Sequence, residues 1–113
     1  MPGFSEGQDV FSAIAAPARR AMLARLAQRE MPMGELAEAF EMSLPAVSQH
    51  LGVLKDAGLV ASRKAGRHRI YRLNPEPLKA ISDWVKTYEA FWTGRLAALG
   101  EYLEKANERQ NPT

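Results

Sequence analysis

The 113-residue chain contains no cysteine. Disulfides and thiolate metal sites are excluded, and nothing calls for an oxidising compartment. Histidine is almost as scarce. Only His50 and His68 occur, with no His-x-x-x-His pair, so a metal site would have to be built mostly from carboxylates. No apolar run approaches the roughly 18 residues of a membrane span, and the opening MPGFSEGQ lacks a basic stretch followed by an apolar one. The expectation is a cytoplasmic protein with no membrane partner, no metal and no cofactor. A nucleophile with its base and orienting group is also missing, since Ser48 and His50 stand two apart and point in different directions on a helix. An enzyme is therefore not expected. The length suits one domain, over residues 8–106, with flexible tails at 1–7 and 107–113.

What the chain does have is charge in one place. The net formal charge is only +2, yet residues 55–72 hold six Lys or Arg against one acidic residue, while the flanking segments are slightly acidic. Lys55, Arg63, Lys64, Arg67, His68 and Arg69 all fall in that window. A local excess of this kind fits either a solvated loop or a surface that meets phosphates.

The apolar pattern places helices around it. A short periodic stretch with Val10, Phe11 and Ile14 stops before Pro17, which opens a second helix whose buried stripe is Ala18, Met22, Leu23, Leu26 and Ala27. Met31-Pro32-Met33 interrupts the period, and Leu36, Ala37 and Phe40 resume it. Three residues, Glu41 to Ser43, then lead into 43-SLPAVSQHLGVLKDAGLV-60. Ser43 suits an N-cap, Pro45 a first turn and Gly58 a C′ position. Two short helices joined by three residues make a helix-turn-helix candidate. After Gly58 the period drops to about two, and residues 59–64 and 69–73 read as strands connected by 65–68, a β-hairpin with a basic tip.

Stepping 100° per residue from Val47 puts Val47, Leu51 and Leu54 on the inner face of the second helix, with Pro45, Ser48, Gln49, Gly52 and Asp56 outward and His50 and Lys55 at the edges. Most exposed helix faces are charged; this one is short, polar and unhindered. Gln49 can pair two-pronged with adenine, and Ser48 can bond a base edge or a phosphate. The hairpin cations can reach backbone or minor groove. Double-stranded DNA is the partner these residues suit. His50 fits either an edge donor to phosphate or a partly buried helix residue bonded to backbone.

A long helix, 75–106, carries Leu78, Ile81, Val85, Tyr88, Trp92, Leu96, Leu99 and Leu103 at three- and four-residue spacing, widened by Trp84, Phe91 and Tyr102. So small a domain cannot cover that stripe. The expected interface is a homodimer through Val10, Phe11, Ile14, Leu78, Ile81, Trp84, Val85, Tyr88, Phe91, Trp92, Leu96 and Leu99; the bland alternative is a helix wrapped on its own domain. Two further readings stay open: a protein-interaction module using the last helix, and a pocket for an unidentified small-molecule effector at Trp84, Phe91 and Trp92.

From about Val10 to Tyr102 the sequence resembles the ArsR/SmtB family of dimeric bacterial winged-helix repressors. The resemblance is carried by 15-AAPARRAMLARLA-27, 35-ELAEAFEMSLPAVSQHLGVLKDAGLV-60 and 63-RKAGRHRIYRLNPEPL-78, and is closest to a subgroup with a long, tryptophan-bearing last helix. It implies a mainly α fold of about five helices with a β-hairpin wing, dimerised through the first and last helices. It also implies that two symmetric helices bind an operator and repress transcription until an effector lowers affinity. Carried over by position, the implied DNA contacts are Ser43, Ser48, Gln49 and His50 on the helix and Arg67 and Arg69 on the wing; Leu44 replaces a frequent glutamine. Metal-responsive members carry cysteines where this chain has 34-GELAEAF-40, or an Asp/His set on the last helix, where this chain has Asp83 and Glu89 without histidine. The metal switch is thus not implied.

Overall fold

The computed structural model describes residues 9–110, and among these every side chain except those of Leu96, Ala97 and 107–110. Six helices and three strands follow in the order α1 (Val10–Ala13), α2 (Pro17–Gln28), β1 (Met31–Pro32), α3 (Met33–Phe40), α4 (Leu44–Asp56), β2 (Val60–Ala65), β3 (His68–Leu73), α5 (Leu78–Lys86) and α6 (Glu89–Gln110). The chain divides into a compact unit ending at Ile81 and a second beginning at Ser82.

The first unit is built around α4. Its Val47, Leu51 and Leu54 are fully buried and join Met22, Leu23 and Leu26 of α2, Leu36 and Ala37 of α3, and Leu59, Val60 and Tyr71 of the hairpin in one core. Truncating Leu51 or Leu54 to alanine in such a site costs about 2–5 kcal/mol. Ala27, expected on the buried stripe of α2, is exposed; the stripe is narrower, running through Met22, Leu23 and Leu26.

Both ends of the helix-turn-helix close with the same hydrogen-bond pattern. At the end of α3, Glu41 N–H donates to Glu38 O (3.3 Å) and Met42 N–H to Ala37 O (3.1 Å). At the end of α4, Gly58 N–H donates to Lys55 O and Leu59 N–H to Leu54 O, both at 2.9 Å. These are Schellman closures, which need a left-handed residue at C′. Gly58 meets that need freely at φ 78°; Glu41 meets it at φ 53°, the one non-glycine with positive φ among the described residues. Between them Ser43 accepts from Ala46 N–H at 3.3 Å and caps α4.

The sheet order is β1-β3-β2, antiparallel throughout. In β2–β3, Val60 faces Leu73 and Ala65 faces His68, so the loop is only Gly66-Arg67. With Gly66 at φ 63°, the first central position is the left-handed one, as in a type II′ turn. Asn74 anchors the hairpin base, its amide Nδ2 donating to Gly58 O and its N–H to Leu59 O, both at 2.8 Å. Strand β1 was not visible in the sequence pattern. It is two residues long, and Met31 opposite Tyr71 is defined only by a long-range pairing.

The single helix expected over 75–106 is two helices, which makes six rather than about five. Thr87 N–H bonds Trp84 O, Tyr88 N–H bonds Val85 O and Phe91 N–H bonds Tyr88 O, all i to i+3. A β-branched residue followed by an aromatic one is a weak helix former, and the chain tightens there. Helix α6 runs on to Gln110, past the expected end. Residues 1–7 and 111–113 of the expected tails, and the side chain of Leu96, lie outside the described residues.

Replacing Glu41 with glycine removes the cost of a left-handed glutamate, partly offset by the looser unfolded chain. Glu41→Gly is expected to stabilise the fold by about 0.5–1 kcal/mol, seen as a rise of several degrees in the thermal midpoint. A lower midpoint would show that the glutamate side chain holds the turn.

Candidate nucleic-acid interface

The face of α4 opposite the core is the one the 100° step marks. Ser43, Pro45, Ser48, Gln49, Gly52, Lys55 and Asp56 are exposed, and Ser48 and Gln49 make no side-chain hydrogen bond within the described chain. Leu44 joins them at 54% exposure, an apolar patch at the start of the helix. No acidic side chain occupies the first turn of α4, so the positive end of the helix dipole is unopposed there. His50 is half-buried at the edge; its Nδ1 lies 3.4 Å from Nη1 of Arg19 on α2. It is therefore bonded to a side chain, not to backbone.

The wing distributes its cations unequally. Arg63 is committed: its Nη1 and Nη2 each donate at 2.7 Å to the two carboxylate oxygens of Glu30, just before β1. Lys55 of α4 and Arg69 of β3 both donate to the hydroxyl of Ser62, at 3.3 and 3.2 Å, which ties the end of α4 to the wing. Lys64 and Arg67, near the hairpin tip, have no hydrogen-bond or ion-pair partner among the described residues and are exposed, as is His68. An open cleft of about 380 Å³ runs between the starts of α3 and α4 and the wing, lined by Leu44 on one side and Arg67, His68 and Arg69 on the other.

The sequence-predicted residues thus fall into three groups. Ser48, Gln49, Lys64, Arg67 and His68 stand free with Pro45 exposed beside them, Lys55 and Arg69 converge on Ser62, and Arg63, His50 and Ser43 are each held within the fold, by Glu30, by Arg19 and as the cap of α4. Sequence reasoning missed Arg19, Glu30 and Ser62. Arg19 and Glu30 lie 31 and 33 residues from the side chains they bond, and no local pattern links them. Among the described residues no three His, Asp or Glu side chains gather as metal ligands.

In the second unit the aromatics remain open. Trp84 packs edge-on against Tyr88 with ring centres 5.5 Å apart, and with Phe91, Trp92 and Arg95 they frame an open cleft of about 450 Å³. Phe91 and Tyr102 are 69% exposed, and none of the described side chains from Ser82 onward is buried. Val10, Ile14 and Leu78, expected at an interface, pack partly against the chain's own core, whereas Phe11 stays exposed. Ile81 and Val85 are half-buried, and Leu99 is exposed. No helix among the described residues is long and apolar enough to cross a membrane.

Comparison with known proteins matches residues 16–62 to the family described as bacterial regulatory protein, arsR family. The chain is 40% identical to the HTH-type transcriptional regulator Rv2034 of Mycobacterium tuberculosis, over 96% of this chain and 98% of that protein. It is 35% identical to the transcriptional repressor SdpR of Bacillus subtilis, over 71% of this chain and 89% of that one. The crystal structure of the ArsR family transcriptional regulator RHA00566 superposes with a TM-score of 0.66 at 36% identity, covering 77% of this chain and 93% of its own.

The pair Glu30–Arg63 generates a pH prediction. Hydrogen bonds from Arg63 hold the Glu30 carboxyl below the usual glutamate range; desolvation opposes them, and the charges of Arg63 and Arg72 add to the lowering. A carboxyl depressed in the folded state supports the wing above its unfolded value and loses that support as pH falls through the folded one. Carbon NMR titration should find the Glu30 carboxyl below the ordinary glutamate value, rising toward it in Arg63→Ala. An unchanged titration in that variant would mean that the pair does not form in solution.

Proposed function

Because the chain belongs to the arsR family of bacterial regulatory proteins, we propose that it is a homodimeric, cytoplasmic repressor that reads an inverted-repeat operator through α4 and steadies itself with the wing. The DNA-binding regulator, as opposed to an enzyme, is the family's role; the dimer, the operator and the contacting residues are this reading. The observation that carries it is the free polar pair Ser48 and Gln49 on a helix aimed outward by three fully buried residues, beside a wing with unpaired Lys64 and Arg67. Gln49 and Ser48 then meet base edges, His50 and Ser43 meet phosphate, and Arg67, Lys64 and Arg69 track the backbone or minor groove. Arg63 contributes by holding the wing against Glu30 more than by touching DNA.

Dimerisation is supported by what the second unit leaves uncovered. The 22-residue helix α6 has no buried side chain among those described, and its aromatic face needs a cover. A second copy supplies one, and two-fold symmetry would set two α4 helices about one DNA turn apart, ~34–36 Å. The cleft at Trp84, Tyr88, Phe91 and Trp92 is part of that face, which favours a subunit contact over an effector pocket.

Two measurements test these assignments. Gln49→Ala is expected to lose ~1–3 kcal/mol on the operator and relax preference at one base pair, whereas Arg67→Ala weakens all sequences and lowers the salt slope by about one. Equal losses on operator and random duplex from Gln49→Ala would contradict base reading. In sedimentation at micromolar concentration the chain should run at twice its own mass, and Phe91→Glu should return it to one; a monomer in the unmodified protein would remove the dimer.

A further inference from the structure

Three elements meet at one side chain. Arg19 donates Nε to Ala13 O at 2.6 Å and Nη2 to Ser12 O at 3.1 Å, and its Nη1 stands 3.4 Å from His50 Nδ1, all partly buried. The neighbouring Arg20 takes the next carbonyl, that of Ile14, at 2.7 Å. A four-residue helix such as α1 is too short to persist alone; Ser12 O already accepts from Ala15 N–H at 3.1 Å, and the two arginines supply the partners of Ala13 O and Ile14 O that close its end. Its other end is closed by Asp9, which accepts from Phe11 N–H at 2.8 Å.

The chemistry of the third contact decides the state of His50. A guanidinium carries five donors, no acceptor, and does not give up its proton. Nδ1 of His50 must therefore offer its lone pair to Arg19, which leaves the ring hydrogen of the neutral imidazole on Nε2. Because the guanidinium is a rigid plane, the bonds to Ser12 and Ala13 also fix where that lone pair is met. We propose that Arg19 is a positioning residue: it fastens α1 to the DNA-facing helix α4 and fixes His50 as an Nε2–H donor to a DNA phosphate. This rests on the DNA-binding reading above. It goes beyond that reading in assigning Arg19 a role and His50 a tautomer. A lysine cannot substitute fully, since one ammonium lacks the planar fork that meets three acceptors at once.

The test uses nitrogen-detected NMR of the histidine rings in the full chain, in mildly alkaline buffer, together with binding to duplex fragments selected from the source genome. His50 in the unmodified protein should show the Nε2–H tautomer alone, and Arg19→Met should show a mixture of both. On the selected duplex, Arg19→Met and His50→Ala should each weaken binding about tenfold, the scale of one charge-assisted hydrogen bond, and the double variant should lose no more than either. A mixed tautomer in the unmodified protein overturns the proposal without any variant, whether or not Arg19→Met folds. Losses that multiply in the double variant overturn it as well, because Arg19 would then act independently of His50. A chain that binds no duplex at all, with the tautomer as expected, would instead remove the DNA-binding reading and leave the Arg19–His50 link in place.

Discussion

The burial of Val47, Leu51 and Leu54 is the constraint from which the rest of the molecule follows. These three residues pin α4 to α2, α3 and the base of the hairpin, and they leave it no freedom to rotate. A helix fixed on one side must present its other side, and here that side is Ser48, Gln49 and Gly52. Rotation by one residue, 100°, would bury one of the polar pair and turn a leucine outward. The core that orients α4 is thus what gives the polar face its meaning. Two Schellman closures, at Glu41 and Gly58, hold the ends of the same helix pair in register with that core.

Electrostatics are layered over this packing. The basic stretch is not a uniform field, because its members have been assigned different tasks. Arg63 is held by Glu30 in an exposed two-pronged pair, which orients the wing although such pairs add little stability. Lys55 and Arg69 share Ser62 and join wing to helix. Lys64 and Arg67 at the tip are exposed and have no partner among the described residues. The result is a wing whose base is bonded into the fold and whose tip carries free positive charge. On the proposed reading, a phosphate backbone running beside α4 would meet that arrangement without the protein having to reorganise.

The local rules made much of this legible. Ser43, Pro45 and Gly58 punctuate α4 where caps belong, the apolar spacing separates its faces, and the change of period after Gly58 announces the hairpin. What escaped was what sequence distance hides. Strand β1 exists only because Met31 and Pro32 find β3, and the Arg19–His50 and Glu30–Arg63 contacts bridge more than thirty residues each. The break at Thr87-Tyr88 escaped for the opposite reason: the heptad-like spacing runs straight through it, and no glycine or proline marks it. Leu44 shows a third kind of limit, since an exposed leucine at the start of the presenting helix reads as an ordinary substitution until the cleft beside the wing is seen.

The most direct measurement is competition between duplexes selected from the source genome and random duplex of equal length, at fixed salt, with the full chain. The account predicts that the selected fragments share an inverted repeat with half-sites about one helical turn apart, bound at least ~10³-fold more tightly than random DNA. Selected fragments with no common site, bound no better than random sequence, would contradict it.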